Sequence, residues 1–322
     1  MSEDTTTKAA RMRAIVQEVA GGPEVLTLAE VDRPEPIPTE VLVRVHAAGV
    51  NPTDWKSREQ GRLLGDPPAV LGWDVSGVVE AVGLGVTRFR PGDEVFGMPR
   101  FPHGAGGYAE YVTAPSRHFT RKPAGLDHVH AAALPLVALT AWQVLHDTAD
   151  VRPGRRVLVH AAAGGVGHVA VQLAKHLGAY VIGTASASKH AFVRELGADE
   201  VIDYTREDFA ETVRDVDVVV DTVGGDYGPR SLRTLRDGGV LAALTGPPGE
   251  DLLRRAAERG IWAGFVLVEP DNAGMATIAE LAGSGRLRAE VGVVLPLEQA
   301  ARAHEIGETG RTTGKIVLTV AG

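Results

Sequence analysis

The chain has 322 residues, 44% of them hydrophobic and 23% charged, which is the balance of a folded globular protein with room for two domains. It contains no cysteine, which excludes disulfides, catalytic thiolates and thiolate-held metals. A formal net charge of −8 without a long basic run gives no footing for nucleic acid, and the apolar runs are too short to span a bilayer.

Residues 1–10 are polar and lack the apolar stretch of a secretory signal. They read as a frayed tail, and the cytoplasm is the expected location. Residues 12–19 and 40–50 concentrate β-branched side chains and read as strands. Between them Pro34-Glu35-Pro36-Ile37-Pro38 is a stiff connector that cannot be helix. Residues 71–83 are rich in Gly and Val, and Pro91-Gly92-Asp93 marks a turn. The stretch from 12 to about 122 is therefore expected to be mostly β.

The pattern changes near Leu126. Residues 130–145 have helical period, and from Arg155 onward strands alternate with helices. Strands are expected at 156–161, 180–184, 201–204, 216–223, 239–244 and 261–268, and a last one at 315–320 that returns to the N-terminal unit. Helices are expected at 166–177, at 189–196 with Gly197 as cap, and at 275–283. This alternation argues for a parallel sheet covered on both faces.

The decisive stretch is Val157-Leu158-Val159-His160-Ala161-Ala162-Ala163-Gly164-Gly165-Val166-Gly167-His168, a strand running through a glycine turn into a helix. It matches the dinucleotide fingerprint with Ala162 in place of the first glycine. Gly164 lets the backbone approach a pyrophosphate, Gly167 lets the helix pack on the strand, and the helix N-terminus offers N–H groups and partial positive charge. An NAD site carries an acid about 20 residues further on. Here the second strand ends Gly183-Thr184-Ala185-Ser186-Ala187-Ser188-Lys189, with hydroxyls and a cation instead. That points to the 2′-phosphate of NADP(H), with Tyr204 as a further hydroxyl. Ser186 and Ser188 also suit capping of the next helix.

These motifs, together with Ala48-Gly49-Val50-Asn51-Pro52-Thr53-Asp54, Gly72-Trp73-Asp74-Val75-Ser76-Gly77, Pro91 to Gly97, Leu196-Gly197-Ala198-Asp199 and Gly314-Lys315-Ile316-Val317, resemble the medium-chain dehydrogenase/reductase superfamily. Within it the chain is similar to the zinc-independent quinone oxidoreductases of zeta-crystallin type. The resemblance implies an α/β fold: a Rossmann doubly wound parallel sheet at 126–267, binding NADP, inserted into a mostly β, GroES-like catalytic domain at 1–125 and 268–322. It further implies a homodimer joined edge to edge through residues 265–268. Carried over by position, it implies a nicotinamide contact at Thr140 and a pyrophosphate turn at Ala163, Gly164, Gly165, Val166 and Gly167. It places the 2′-phosphate at Ser186, Lys189 and Tyr204, with Thr184 a further cofactor contact. Ribose or nicotinamide contacts fall at Val223, Leu244, Thr245, Phe265, Val266 and Leu267, and a late contact at Lys315.

Zinc members of the superfamily carry a Cys near Asn51 and Gly-His-Glu where this chain has Gly72-Trp73-Asp74, so no metal is expected. Without a Lewis acid the easier task is hydride transfer to an electron-poor acceptor, a quinone or an α,β-unsaturated carbonyl. Asn51 bonds either the substrate carbonyl, the nicotinamide ribose or its own turn. Asp54 holds that loop or transfers a proton. Tyr108 donates a proton or packs in the sheet. Trp55 and Trp73 line a flat pocket or belong to the core. His160 reads as a packed histidine, and water is the expected proton source. A third reading, a structural or RNA-binding relative, gains nothing from the acidic balance.

Overall fold

The computed structural model describes residues 10–320, so the tail at 1–9 lies outside the described residues. The chain forms two compact units. One runs to Pro135 and resumes at Val293–Thr312 and from Ile316; the other comprises Leu136–Gly292 and Thr313–Lys315. The sequence reading had placed its boundaries after residues 125 and 267.

The first unit is antiparallel β. Its spine is the strand Glu40–Val50, a run of Val, Leu and Ala buried almost throughout. It pairs with Asp74–Val82, Tyr111–Pro115 and the C-terminal strand, where Ile316 lies opposite Val50. A three-stranded sheet of Thr27–Asp32, Arg11–Gln17 and Ala69–Val70 accompanies it. Two helices were not legible as periodic segments. Pro52–Gln60 starts from cap signals alone: Pro52 sits at its first position and Asp54 accepts the Asn51 N–H at 2.6 Å. Ala300–Glu308 is the other. The helix expected at 130–145 is interrupted. His128–Ala132 ends and Pro135–Trp142 begins anew, because Pro135 has no N–H to continue a helical ladder.

The second unit carries six parallel strands. From one edge they are Glu200–Asp203, Tyr180–Ala185, Arg156–Val159, Val216–Asp221, Leu235–Ala243 and Trp262–Phe265. Counted in chain order this is 3-2-1-4-5-6, the doubly wound dinucleotide-binding order, with its switch point between the first and fourth strands. Leu158, Ile182, Val219 and Leu241 are buried with Phe209 and Leu235. The helix Gly165–His176 buries Val169, Ala170, Leu173 and Ala174. Of the apolar run 261–268, Trp262–Phe265 forms the edge strand of the ladder.

Candidate nucleotide site

The strand Arg156–Val159 delivers the chain into the glycine turn. Ala161 takes a left-handed φ of +45°, unusual for a residue with a side chain. The neighbouring strand holds it there: the Thr184 hydroxyl accepts the Ala161 N–H at 3.2 Å, and the Thr184 carbonyl accepts the Ala162 N–H at 2.9 Å. The same Thr184 hydroxyl pairs with His160 Nδ1 at 3.3 Å, and His160 Nε2 pairs with the Ser231 hydroxyl at 2.8 Å. A Cβ on Gly167 would stand 2.2 Å from the Ala161 carbonyl oxygen and 2.8 Å from the Ala162 Cα, so only glycine lets the helix approach the strand. No side chain caps the helix Gly165–His176 and no acid lies in its first turn. Its first N–H groups, with the positive end of the helix dipole, are therefore available to an anion. The side chain of Lys315 is buried, and its Cδ lies 3.5 Å from where a Gly165 Cβ would be.

The remaining candidates in this unit gather at the carboxyl ends of the strands. Ser186 stands at the N-cap of the short turn after Tyr180–Ala185 without capping it; its hydroxyl lies 3.3 Å from that of Ser188. Burial lowers the pKa of the nearby Lys189 ammonium. Asp203, which no sequence motif marks, is the register partner of Ala185 on the next strand. Its carboxylate accepts the Thr205 hydroxyl at 2.6 Å and the Thr205 N–H at 3.0 Å, and these bonds lower its pKa. Tyr204 beside it is exposed. Val223 donates its N–H to the buried Asp221 carboxylate at 2.9 Å, and Leu244 donates its own to the Asp221 carbonyl at 2.9 Å. Thr245 packs on Gly224, and the Val266 N–H extends the ladder to the Ala243 carbonyl at 3.0 Å. Phe265 and Leu267 are exposed. Thr140 is buried on Pro135–Trp142 with its hydroxyl returned to the Leu136 carbonyl at 2.7 Å.

Asn51 and Tyr108 belong to the first unit, in a buried polar group. The Asn51 amide donates to Asp74 at 2.8 Å. Arg58 donates to His304 Nδ1 at 3.1 Å and to Glu308 at 2.6 Å. The ring proton of His304 therefore sits on Nε2, facing the Tyr108 oxygen at 3.3 Å, and Tyr108 in turn hydrogen-bonds Asp54. Burial, then the charge of Asp54, pushes the Tyr108 phenol well above its usual range. The chain of donors ends on an arginine, which does not give up its proton, so the group orients its members rather than conducting protons. Trp73 is core, its indole N–H bonded to the His103 carbonyl at 2.7 Å. Trp55 packs on Gly307.

A family model described as an alcohol dehydrogenase GroES-like domain matches residues 37–124, and one described as a zinc-binding dehydrogenase matches 196–318. The 2-haloacrylate reductase of a Burkholderia species is 37% identical over 95% of this chain and 98% of that one. The solved quinone oxidoreductase of Coxiella burnetii is 37% identical with a TM-score of 0.91, covering 97% of this chain and 100% of that one. The Escherichia coli quinone oxidoreductase, solved in complex with NADPH, is 31% identical with a TM-score of 0.86, covering 96% and 100%. The chain belongs to the medium-chain dehydrogenase/reductase superfamily. It is an oxidoreductase of the quinone oxidoreductase type, a doubly wound domain joined to a GroES-like one.

A zinc site needs clustered ligands. Asp74 is engaged with Asn51, Trp73 is core, and among the described residues no three His, Asp or Glu side chains are placed to hold a metal ion.

Three buried histidines of this dehydrogenase/reductase lie well below the usual imidazole value of 6.5. Burial, then the charge of Arg230, lowers His160 to about 3, and burial with Arg58 lowers His304 to about 3. Burial above all lowers His168 to about 4. Unfolding at mildly acid pH lets each take up a proton that the folded chain refuses. Stability is therefore complete above pH 6.5 and falls as pH drops towards 4, by about 1.4 kcal/mol per pH unit for each histidine. Melting temperature measured across this range is expected to fall steeply, and less steeply in His304→Gln.

Proposed function

We propose that this oxidoreductase uses NADPH, without zinc, to reduce a quinone. The carrying observation is the uncapped glycine turn of the second unit together with a strand end, Thr184 to Lys189, that presents hydroxyls and an ammonium where an NAD site presents an acid. When bound, NADPH supplies a hydride. The N–H groups of Gly165 and Val166 hold the diphosphate, and Lys315 adds charge beside them. Ser186, Lys189 and Tyr204 take the 2′-phosphate. Thr140, Val223, Leu244, Thr245 and the segment Phe265–Leu267 border the ribose and nicotinamide. Tyr108 keeps its proton for the buried polar group, so water protonates the product. A Tyr108→Phe variant is therefore expected to keep its turnover within about threefold while losing about 1 kcal/mol of stability.

A second reading, reduction of an α,β-unsaturated carbonyl, is favoured by the relative named for 2-haloacrylate, a conjugated acid. Both share the cofactor site. The exposed edge strand Trp262–Phe265, with Trp262, Phe265 and Leu267 at the surface, is the proposed seam of a homodimer. Among the described residues no helix is long and apolar enough to cross a membrane, and a cytoplasmic location is proposed.

The test is NADPH oxidation against a panel of quinones and conjugated carbonyls, with NADH and simple alcohols as controls and EDTA throughout. Turnover of quinones with NADPH, unaffected by chelator, is expected. Preference for the conjugated carbonyls selects the second reading. Activity confined to alcohols, or abolished by EDTA and restored by zinc, refutes both.

A further inference from the structure

We infer that His168 is a positioning residue for the nucleotide, its neutral imidazole aiming the first N–H of the glycine turn. This rests on the reading of that turn as the diphosphate site. The ring is buried one turn into the helix, and its polar partners are backbone groups. The Gly164 carbonyl lies 2.9 Å from Nδ1, and the Glu290 N–H points at Nε2 from 3.1 Å. Because the Glu290 backbone can only donate, Nε2 accepts and the ring proton sits on Nδ1. The Gly164 carbonyl thus receives two donors, the His168 backbone N–H at 3.0 Å and the imidazole.

That carbonyl shares a rigid peptide plane with the Gly165 N–H. Pinning one end of the plane fixes the direction of the other, which leaves the helix end towards an anion. A ring of bonds closes behind it. The Glu290 carbonyl accepts the Lys315 N–H at 2.8 Å, and the Gly314 N–H donates to the Ala163 carbonyl at 2.9 Å. Gly314 has φ +65°, and a Cβ there would stand 2.2 Å from the Glu290 carbonyl oxygen. Residues 163–168, 290 and 313–315 are thereby stapled together, with His168 as the side chain that joins two of the three. The charged side chains acting on the ring are Lys315 and Arg288, and both oppose a second proton, which keeps Nε2 an acceptor.

Three variants separate the contacts. His168→Phe keeps an aromatic ring, slightly larger, and removes both bonds. His168→Asn places an amide nitrogen where Nδ1 stands and keeps the bond to Gly164. His168→Gln reaches Glu290 and leaves Gly164 short of its second donor. NADPH dissociation constants from fluorescence titration are read beside amide hydrogen exchange at Gly165 and Val166 in the free protein. Expected are NADPH binding about tenfold or more weaker in Phe and Gln, faster exchange at Gly165 in both, and Asn within about threefold of the parent. Phe binding and exchanging like the parent overturns the inference. If Phe does not fold, equal affinity and exchange in Asn and Gln overturn it. If the parent itself binds no NADPH, the cofactor reading fails, and a Gly165 exchange rate unchanged between Asn and Gln then refutes the staple independently.

Discussion

Replacing Gly167 with valine is expected to abolish NADPH binding, at least a hundredfold by fluorescence titration. The Cβ alone would lie 2.2 Å from the Ala161 carbonyl oxygen and 2.8 Å from the Ala162 Cα. Both obstacles are backbone, so no rotamer change relieves them. The helix Gly165–His176 must move away from the strand, and its N-terminal N–H groups, which act only at close range, move with it. A stability loss of about 2–4 kcal/mol should accompany the lost binding. Gly165→Ala is the control. Its Cβ meets the Lys315 side chain at 3.5 Å and that of Val137 at 3.6 Å, ordinary contacts, so stability should stay within about 0.5 kcal/mol. Weaker NADPH binding by a fully stable Gly165→Ala would place the phosphates directly over that residue. A Gly167→Val protein that folds and binds NADPH normally would remove the turn from the nucleotide site.

The second unit was legible because strands buried on both faces of a parallel sheet read as short apolar runs, as at 156–161 and 216–223. The glycine turn was legible because its requirement is steric and local. Elements that depend on partners far along the chain were not. The helix Pro52–Gln60 has one large apolar residue, Trp55, and hence no stripe to detect; only Asn51, Pro52 and Asp54 announce it. The 130–145 segment carried the right period but also Pro135, whose missing N–H was the signal that it would break.

The same distinction divides the candidate site. Residues named from the glycine motif or from the ends of strands fall at the carboxyl edge of one sheet. The polar side chains that pair across long stretches of the chain within each unit were silent in sequence. Arg58 meets His304 across 246 residues and His168 meets Glu290 across 122, and no local pattern encodes such a pairing. His168 did leave one trace, its place four residues after Gly164, from which a helical side chain can reach back to that carbonyl. Asp203 gave no signal at the end of the second strand, because the acid stands in register on the third.

Asp203 also sharpens the cofactor prediction. Its carboxylate is already held by Thr205, and the Ser186–Lys189 segment is the proposed place where phosphate and hydroxyl are told apart. Lys189→Glu combined with Ser186→Asp should invert that choice. Each change removes a charge-assisted or hydroxyl contact proposed for the 2′-phosphate, worth about 1.5–3 kcal/mol where the partner is charged. Each also installs a carboxylate that repels the phosphate and accepts from a ribose 2′-hydroxyl. The ratio of kcat/KM for NADPH over NADH is expected to fall by about a hundredfold to a thousandfold. Both side chains are partly exposed, so the melting temperature should hardly move, which separates a change of specificity from a loss of fold. A ratio left unchanged in the double variant would mean that the 2′-phosphate is bound elsewhere, and the assignment of Ser186 and Lys189 would fall.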